Sequence, residues 1–226
     1  MKYYIYSPIG RTGSKRIFNP LADTITAEVG DSSRFTIHGD NFRCTLLKRD
    51  QSNIEHDISI LDTWQNSVAV HSHNCECMPR LSSGWKFILS SRKRKIDAVL
   101  SKLVAKQSDI HHPKQLTKRK REKLCPFEVS ELEVSGLLEK YIAGEFAFVE
   151  KVKSLGAIPI VIYMEDSFDT IQEKLDKQFN KATFIHDIGT ISNLKAVDYI
   201  TNYDEIQAMY DENLTDYQKR FYTETE

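Results

Sequence analysis

The chain has 226 residues, of which 40% are apolar and 28% charged, and its formal net charge is −1. This is ordinary globular composition on a chain long enough to bury the core of one sizeable α/β domain. No apolar run reaches the ~18 residues of a membrane span and no signal-peptide pattern opens the chain, so the sequence predicts a cytoplasmic protein with no membrane partner.

Charge is unevenly distributed. Residues 1–85 are neutral overall, residues 86–123 carry thirteen basic and three acidic side chains, and residues 124–226 carry nine basic and twenty acidic ones. The middle of the chain is suited to a polyanion, or is a solvated loop balanced by the acidic last third. "TKRKREK" lacks interleaved aromatics, so no base-stacking platform is visible and nucleic acid is not the expected partner. Of Cys44, Cys75, Cys77 and Cys125, the pair at 75 and 77 forms C-x-C with no second pair, which is poor zinc spacing. All four read as reduced thiols.

In chain order, "KYYIYS" (2–7) predicts a first strand. A small-and-basic turn follows, and a helix starts at Ser14 and runs to about Leu21, limited by Pro20. Residues 23–62 are polar, with strand-like pieces around "RFTIHG" and "FRCTLL" that the pattern does not place. "NSVAVHSH" (66–73) and "WKFILSS" (85–91) are short apolar runs suited to buried parallel strands. Ile96, Val99, Leu100, Leu103 and Val104 recur at helical spacing. After a polar segment marked by Pro113 and Pro126, Ser130 and Glu133 form an S-x-x-E capping box. An apolar stripe from Val134 to Leu155 then predicts a long helix stopped by Gly156. "AIPIVIYME" (157–165) predicts a fourth buried strand and "SFDTIQEKLDKQF" (167–179) a helix.

Strands alternating with helices predict an α/β fold with a central parallel sheet and flanking helices, over a single domain 1–226 with variable segments near 23–62 and 106–128. Ligands of such sheets sit beyond the carboxyl ends of the strands. Three strands end in chemically loaded stretches: "SPIGRTGSKR", "HSH" and "SSRKRK". If these strands are parallel neighbours, the three endings meet on one edge.

The first ending has the composition of an anion loop. Gly10 and Gly13 permit close backbone approach, Thr12 and Ser14 offer hydroxyls, and Arg11, Lys15 and Arg16 offer charge. The Walker A spacing is absent, because Gly10 and Gly13 are too close and Ser14 separates Gly13 from Lys15. The plain alternative is a turn with solvated basic residues. His71 and His73 are candidate proton acceptors, taken to alternate across the strand so that one of them faces the site. His111 and His112 read as loop residues. Glu165 and Asp166 read as a solvated helix start that could also shape the site.

The loop resembles the phosphosulfate loop of sulfotransferases that use 3′-phosphoadenosine 5′-phosphosulfate (PAPS), roughly P-[KR]-[ST]-G-[ST]-[ST]. Arg11, Thr12, Gly13 and Ser14 match, Lys15 replaces the second hydroxyl, and Pro8 lies three residues before Arg11 rather than one. "ILSSRKRKIDAVLS" is similar to the family's 3′-phosphate anchor, with Arg92 or Lys93 as the basic residue and Ser101 as the serine. Arg94 and Lys95 replace the family's Asp-Pro. "VHSHN" is similar to its K-x-H segment, with His71 at the lysine and His73 at the histidine position.

The resemblance implies a P-loop nucleotide-binding type three-layer sandwich. It also implies transfer of a sulfuryl group from PAPS to the hydroxyl or amine of a carbohydrate or small-molecule acceptor, without a metal. Arg11, Thr12, Gly13, Ser14, Lys15 and Arg16 would hold the 5′-phosphosulfate, Arg92 or Lys93 with Ser101 the 3′-phosphate, and His73 would be the base, with His71 as the alternative. The competing expectations are another P-loop enzyme of kinase type and a non-catalytic nucleotide- or nucleic-acid-binding protein.

Overall fold

A computed structural model describes residues 2–18, 25–29, 35–39, 42–46, 68–73, 75, 78, 84–108, 125–179 and 195–212. In chain order the elements are β1 (Lys2–Tyr6), α1 (Ser14–Phe18), β2 (Ile25–Val29), β3 (Phe35–Gly39), β4 (Phe42–Leu46), β5 (Val68–Ser72) and β6 (Trp85–Ser91). Then follow α2 (Lys95–Ser108), α3 (Glu131–Ser154), β7 (Ile160–Tyr163), α4 (Phe168–Phe179), a 3₁₀ turn (Ala196–Asp198) and α5 (Tyr203–Glu212). The chain divides into two compact units, Met1–Lys93 with Gly144–Ile188 and Arg94–Ala143 with Gly189–Glu226. His111, His112 and most of the basic segment 106–123 lie outside the described residues.

The first unit is built on a seven-stranded sheet of order β4-β3-β2-β5-β1-β6-β7. β2, β5, β1, β6 and β7 run parallel, and β3 and β4 extend the sheet in antiparallel pairing. β1 is central, with both faces covered. Tyr3 and Ile5 share one face with Ala69, Ile88, Ile160 and Ile162, under Ile17 and Phe18 of α1 and Ile171 and Leu175 of α4. Tyr4 and Tyr6 point the other way and stack on Phe148 of α3, with ring centroids 6.4 and 4.8 Å apart. Burial on both faces explains why these strands read as unbroken apolar runs rather than alternating ones. Each such side chain contributes roughly 1.5–3 kcal/mol on leaving water.

The path of the chain marks one place on this sheet. From β1 it goes out to β2, returns to β5 between them, and crosses to β6 on the far side of β1. The connections leaving the neighbours β1 and β6 therefore run in opposite directions. Such a reversal of winding is the place on open α/β sheets, beyond the carboxyl ends of the strands, where ligands bind.

Predicted elements shift only where backbone chemistry dictates. The strand predicted from Ala157 starts at Ile160, after Pro159, which has no amide hydrogen for the ladder. α1 stops at Phe18, short of Pro20. β2, which the polar stretch 23–62 concealed, completes the parallel set, and the "RFTIHG" and "FRCTLL" pieces are β3 and β4.

In the second unit α2 buries Ile96, Val99, Leu100, Leu103 and Val104, and the first half of α3 buries Val134, Leu138, Tyr141 and Ile142. Phe127 forms a parallel bridge with Ile200. The Asn202 amide imitates a backbone partner for Val129, accepting from its N–H at 3.2 Å and donating to its carbonyl at 2.9 Å.

The long helix has defined ends. Ser130 Oγ accepts from the Glu133 amide at 3.2 Å, the N-cap bond that the S-x-x-E spacing predicts. At the other end Gly156, with φ +72°, donates to Lys153 O at 2.9 Å, and Ala157 donates to Val152 O at 3.2 Å. This pair of bonds is a Schellman motif. A Cβ at Gly156 meets nothing within 4 Å, so only the backbone angle resists a side chain there. Gly136 lies inside α3, also with open space around it and without a positive φ. Gly156→Ala is therefore expected to lower unfolding stability by about 1 kcal/mol, and Gly136→Ala to raise it by roughly 0.5–1 kcal/mol. Urea unfolding of the two variants checks this; shifts of the same sign would refute the account.

Candidate functional site

The carboxyl ends of β5, β1 and β6 lie side by side, with Tyr6 in register with Ser72 on one flank and Leu89 on the other. Ser7 continues the ladder for one step, its amide donating to Ser72 O at 3.0 Å. The chain then turns through Gly10, Arg11 and Gly13, all at positive φ (+74°, +61° and +79°). For Arg11 that conformation costs about 1–2 kcal/mol, so the surrounding structure holds it there.

Thr12 pins this loop to β6. It is fully buried, its hydroxyl donates to Ser90 Oγ at 3.0 Å, and Ser90 in turn donates to Thr12 O at 3.0 Å. A Cβ at Gly13 would come within 2.9 Å of Met164 Cγ, in the turn after β7. Arg16 reaches the same turn, donating to Met164 O at 2.5 Å and Asp166 O at 3.5 Å. Asp166 closes that turn by accepting from the Tyr163 amide at 2.9 Å and from Lys174 Nζ at 2.8 Å. Thr12, Arg16 and Asp166 thus hold the loops in place. Ser14 is the buried first residue of α1, and the Lys15 side chain lies outside the described part of the structure.

The Arg92 guanidinium meets the backbone of the loop after β1 here. Arg92 Nε donates to Arg11 O at 3.0 Å, which brings the end of β6 onto the loop after β1. Burial, and then the positive charge of Arg92, push the Arg11 pKa below its ordinary value. The sign is definite: folding disfavours the charge that Arg11 carries, and an anion beside both groups would offset that cost. Lys93 is exposed. Its amide donates to Glu165 Oε2 at 3.1 Å, and its ammonium lies 6.0 Å from the centre of the Tyr163 ring. Ser101 lies on α2, in the second unit.

Both histidines meet at Ser7. Ser7 Oγ is 3.0 Å from His71 Nε2 and 2.9 Å from His73 Nδ1, and the two rings stand edge to face at 4.8 Å. The expectation that the two alternate and only one faces the site is corrected: both rings reach Ser7, His71 from the end of β5 and His73 from the residue just beyond it. They differ in setting. His71 is 2% exposed with its ring against Phe18, whereas His73 is partly exposed beside Gly10.

Sequence reasoning missed Ser7, Ser90, Met164 and Glu145. Glu145 is fully buried on α3, where it accepts a hydrogen bond from Ser91 Oγ at the end of β6. A signal for it existed, since Tyr141, Glu145, Phe148 and Val152 follow at helical spacing and place a carboxylate on an apolar face. Cys75 and Cys125 are reduced cysteines outside any disulfide. Among the described residues no helix is long and apolar enough to cross a membrane. No protein-family model, curated protein or solved structure matches the chain.

The contact between Gly13 and Met164 is directly testable. Gly13→Ala is expected to cost about 2 kcal/mol of stability, from positive φ and from overlap. Met164→Ala, introduced into that variant, should recover the overlap part. A double-mutant cycle by urea unfolding measures the coupling, and strict additivity would refute it.

Proposed function

We propose that the protein is a PAPS-dependent sulfotransferase of P-loop type that moves a sulfuryl group to a hydroxyl or amine acceptor. The observation that carries this reading is the bond from the Arg92 guanidinium to the Arg11 carbonyl, which brings two basic residues together beyond the carboxyl ends of β1 and β6, where an α/β sheet takes its ligand. The residues present fit a doubly anionic nucleotide, because the repulsion between the two guanidinium groups is what such a ligand would offset. The order of the three matching motifs along the chain supports the same reading.

When bound, PAPS supplies an activated sulfuryl group whose transfer resembles phosphoryl transfer in relying on positioning and charge stabilisation. Arg11 is assigned to the 5′-phosphosulfate, where it stabilises charge that develops on the bridging oxygen. Arg92, beside Lys93, is assigned to the 3′-phosphate. The acceptor oxygen or nitrogen forms a bond to sulfur as the bond from sulfur to the bridging oxygen breaks. The leaving nucleotide keeps that electron pair, and His73 takes the acceptor's proton. Thr12, Ser90 and Arg16 act earlier, by holding the loop in the conformation that presents Arg11.

Calorimetric titration with 3′,5′-adenosine bisphosphate, beside AMP and ATP with Mg²⁺, tests the reading without knowledge of the acceptor. Tight binding that requires the 3′-phosphate is expected. Preference for Mg-ATP would make the protein a kinase-like enzyme, and no binding of any nucleotide would overturn both. Arg11→Ala should weaken bisphosphate binding about 10- to 100-fold, the effect of losing charged hydrogen bonds. Thermal unfolding with and without the bisphosphate measures the loss.

A further inference from the structure

We infer that Met164 is a reversible oxidation site coupled to Arg92: its thioether touches the Arg92 guanidinium, and conversion to the sulfoxide gives that guanidinium an acceptor that competes with a bound phosphate. The competition rests on the transferase reading; the oxidation and its effect on Arg92 do not.

Met164 stands in the turn after β7, and three elements close on it. Its amide donates to Ser91 O at the end of β6, at 2.9 Å, and its carbonyl accepts from Arg16 of α1. Its Cγ and Cβ lie 2.9 and 3.1 Å from where a Cβ on Gly13 would stand, in the loop after β1. Its backbone is therefore fixed, and its side chain runs between that loop and Arg92. The sulfur lies 2.9 Å from Arg92 Nη2, on the same guanidinium whose Nε donates to Arg11 O at 3.0 Å. A thioether is a weak acceptor, so this contact binds Nη2 lightly. Met164 is half-buried, whereas Met78 is 3% exposed and sealed in the core. A small oxidant in solution reaches the first more readily than the second.

With hydrogen peroxide as the oxidant, a lone pair of Met164 Sδ attacks one peroxide oxygen. The sulfur–oxygen bond forms as the oxygen–oxygen bond breaks. The departing hydroxide takes the proton of the transferred oxygen and leaves as water. Sulfur gives up two electrons and the peroxide gains them. The product carries a strongly polar oxygen where the thioether had none. The unbranched side chain has the torsional freedom to turn that oxygen toward the guanidinium. Arg92 then donates to Arg11 O through Nε and to the sulfoxide through Nη2, and the second bond is charge-assisted. A phosphate that uses the same Nη2 has to displace it. Reduction of the sulfoxide restores the thioether, so the change is reversible.

Hydrogen peroxide treatment of the full chain, followed by mass spectrometry of its tryptic peptides, reads the site, because Met164 is the one methionine between Lys153 and Lys174. Uptake of one oxygen at Met164 ahead of Met78 is expected; the reverse order would overturn the inference. Spectra of the ligand-free protein with ¹⁵N-labelled guanidinium groups then read Arg92, whose signal is identified by its loss in Arg92→Lys. That signal should shift on oxidation and return after treatment with the two methionine sulfoxide reductases, which together reduce both epimers. In Met164→Leu it should ignore peroxide. An Arg92 signal that stays in place while Met164 is fully oxidised would refute the coupling. Should Arg92→Lys fail to fold, the signal that responds to peroxide in wild type and not in Met164→Leu takes its place. Titration with 3′,5′-adenosine bisphosphate reads the competition. Oxidised protein should bind about tenfold more weakly, as for a lost charged hydrogen bond, and the reductases should restore the affinity. Met164→Leu should keep its own affinity through the same treatment. Equal binding before and after oxidation of the wild type would overturn the competition. Wild-type protein that binds no bisphosphate in either state would remove the transferase reading and leave the peptides and the Arg92 signal to decide the oxidation site.

Discussion

The central position of β1, with a parallel neighbour on each side, is the constraint from which the rest of the site follows. Parallel pairing brings the carboxyl ends of β5, β1 and β6 to one edge of the sheet. Neither Arg11 and Arg92 nor Ser7 and His73 would meet otherwise, because more than 60 residues separate the members of each pair in the chain. The sheet tolerates this placement because both faces of β1 are covered, by α1 and α4 on one side and by α3 on the other. The backbone hydrogen bonds are met within the ladder, so the strand ends can carry polar chemistry beside largely apolar central strands.

Around that edge the polar side chains divide into two kinds. Thr12, Ser90, Arg16 and Asp166 spend their hydrogen bonds on backbone and on each other, and hold the loops after β1, β6 and β7 in mutual register. Arg11 and Arg92 are brought together at an electrostatic cost, and His73 is oriented by its neighbours. In the proposed transferase this division would be that of a preorganised site, in which the groups that meet a ligand are held by groups that do not. The left-handed backbone at Arg11 belongs to the same pattern, a local strain that the surrounding bonds outweigh.

Much of this arrangement was legible in the sequence where burial dictates composition. "KYYIY", "VAVHS", "WKFILSS" and "IVIY" each carry consecutive apolar residues rather than alternating ones because they are covered on both faces, and each is a strand. The ends of α3 were equally plain, since Ser130 and Gly156 are residues that the cap and the left-handed C′ position select. β2 was not, because "ITAEV" lies in a polar stretch whose local pattern gives no sign of its distant partner β5. The site was legible as composition but not as roles. A threonine and an arginine in a phosphate-like loop look like ligands, and only tertiary structure shows Thr12 bonded to Ser90 and Arg16 bonded to Met164. Ser7 was overlooked because a lone serine at a strand end has no pattern of its own. Its meaning comes from two histidines more than 60 residues away.

The same topology has a consequence for the birth of the protein. Lys2 pairs with Val68 on one side and with Trp85 on the other. β1 leaves the ribosome before either partner; at 5–20 residues per second, β5 is complete roughly 3–13 s after it. Throughout that interval "KYYIY" is an aromatic-rich strand with two open edges, the kind of segment that pairs with the wrong chain when crowded. The parallel pairing that gathers three strand ends on one edge thereby leaves an aromatic-rich strand unpaired until β5 and β6 have been made.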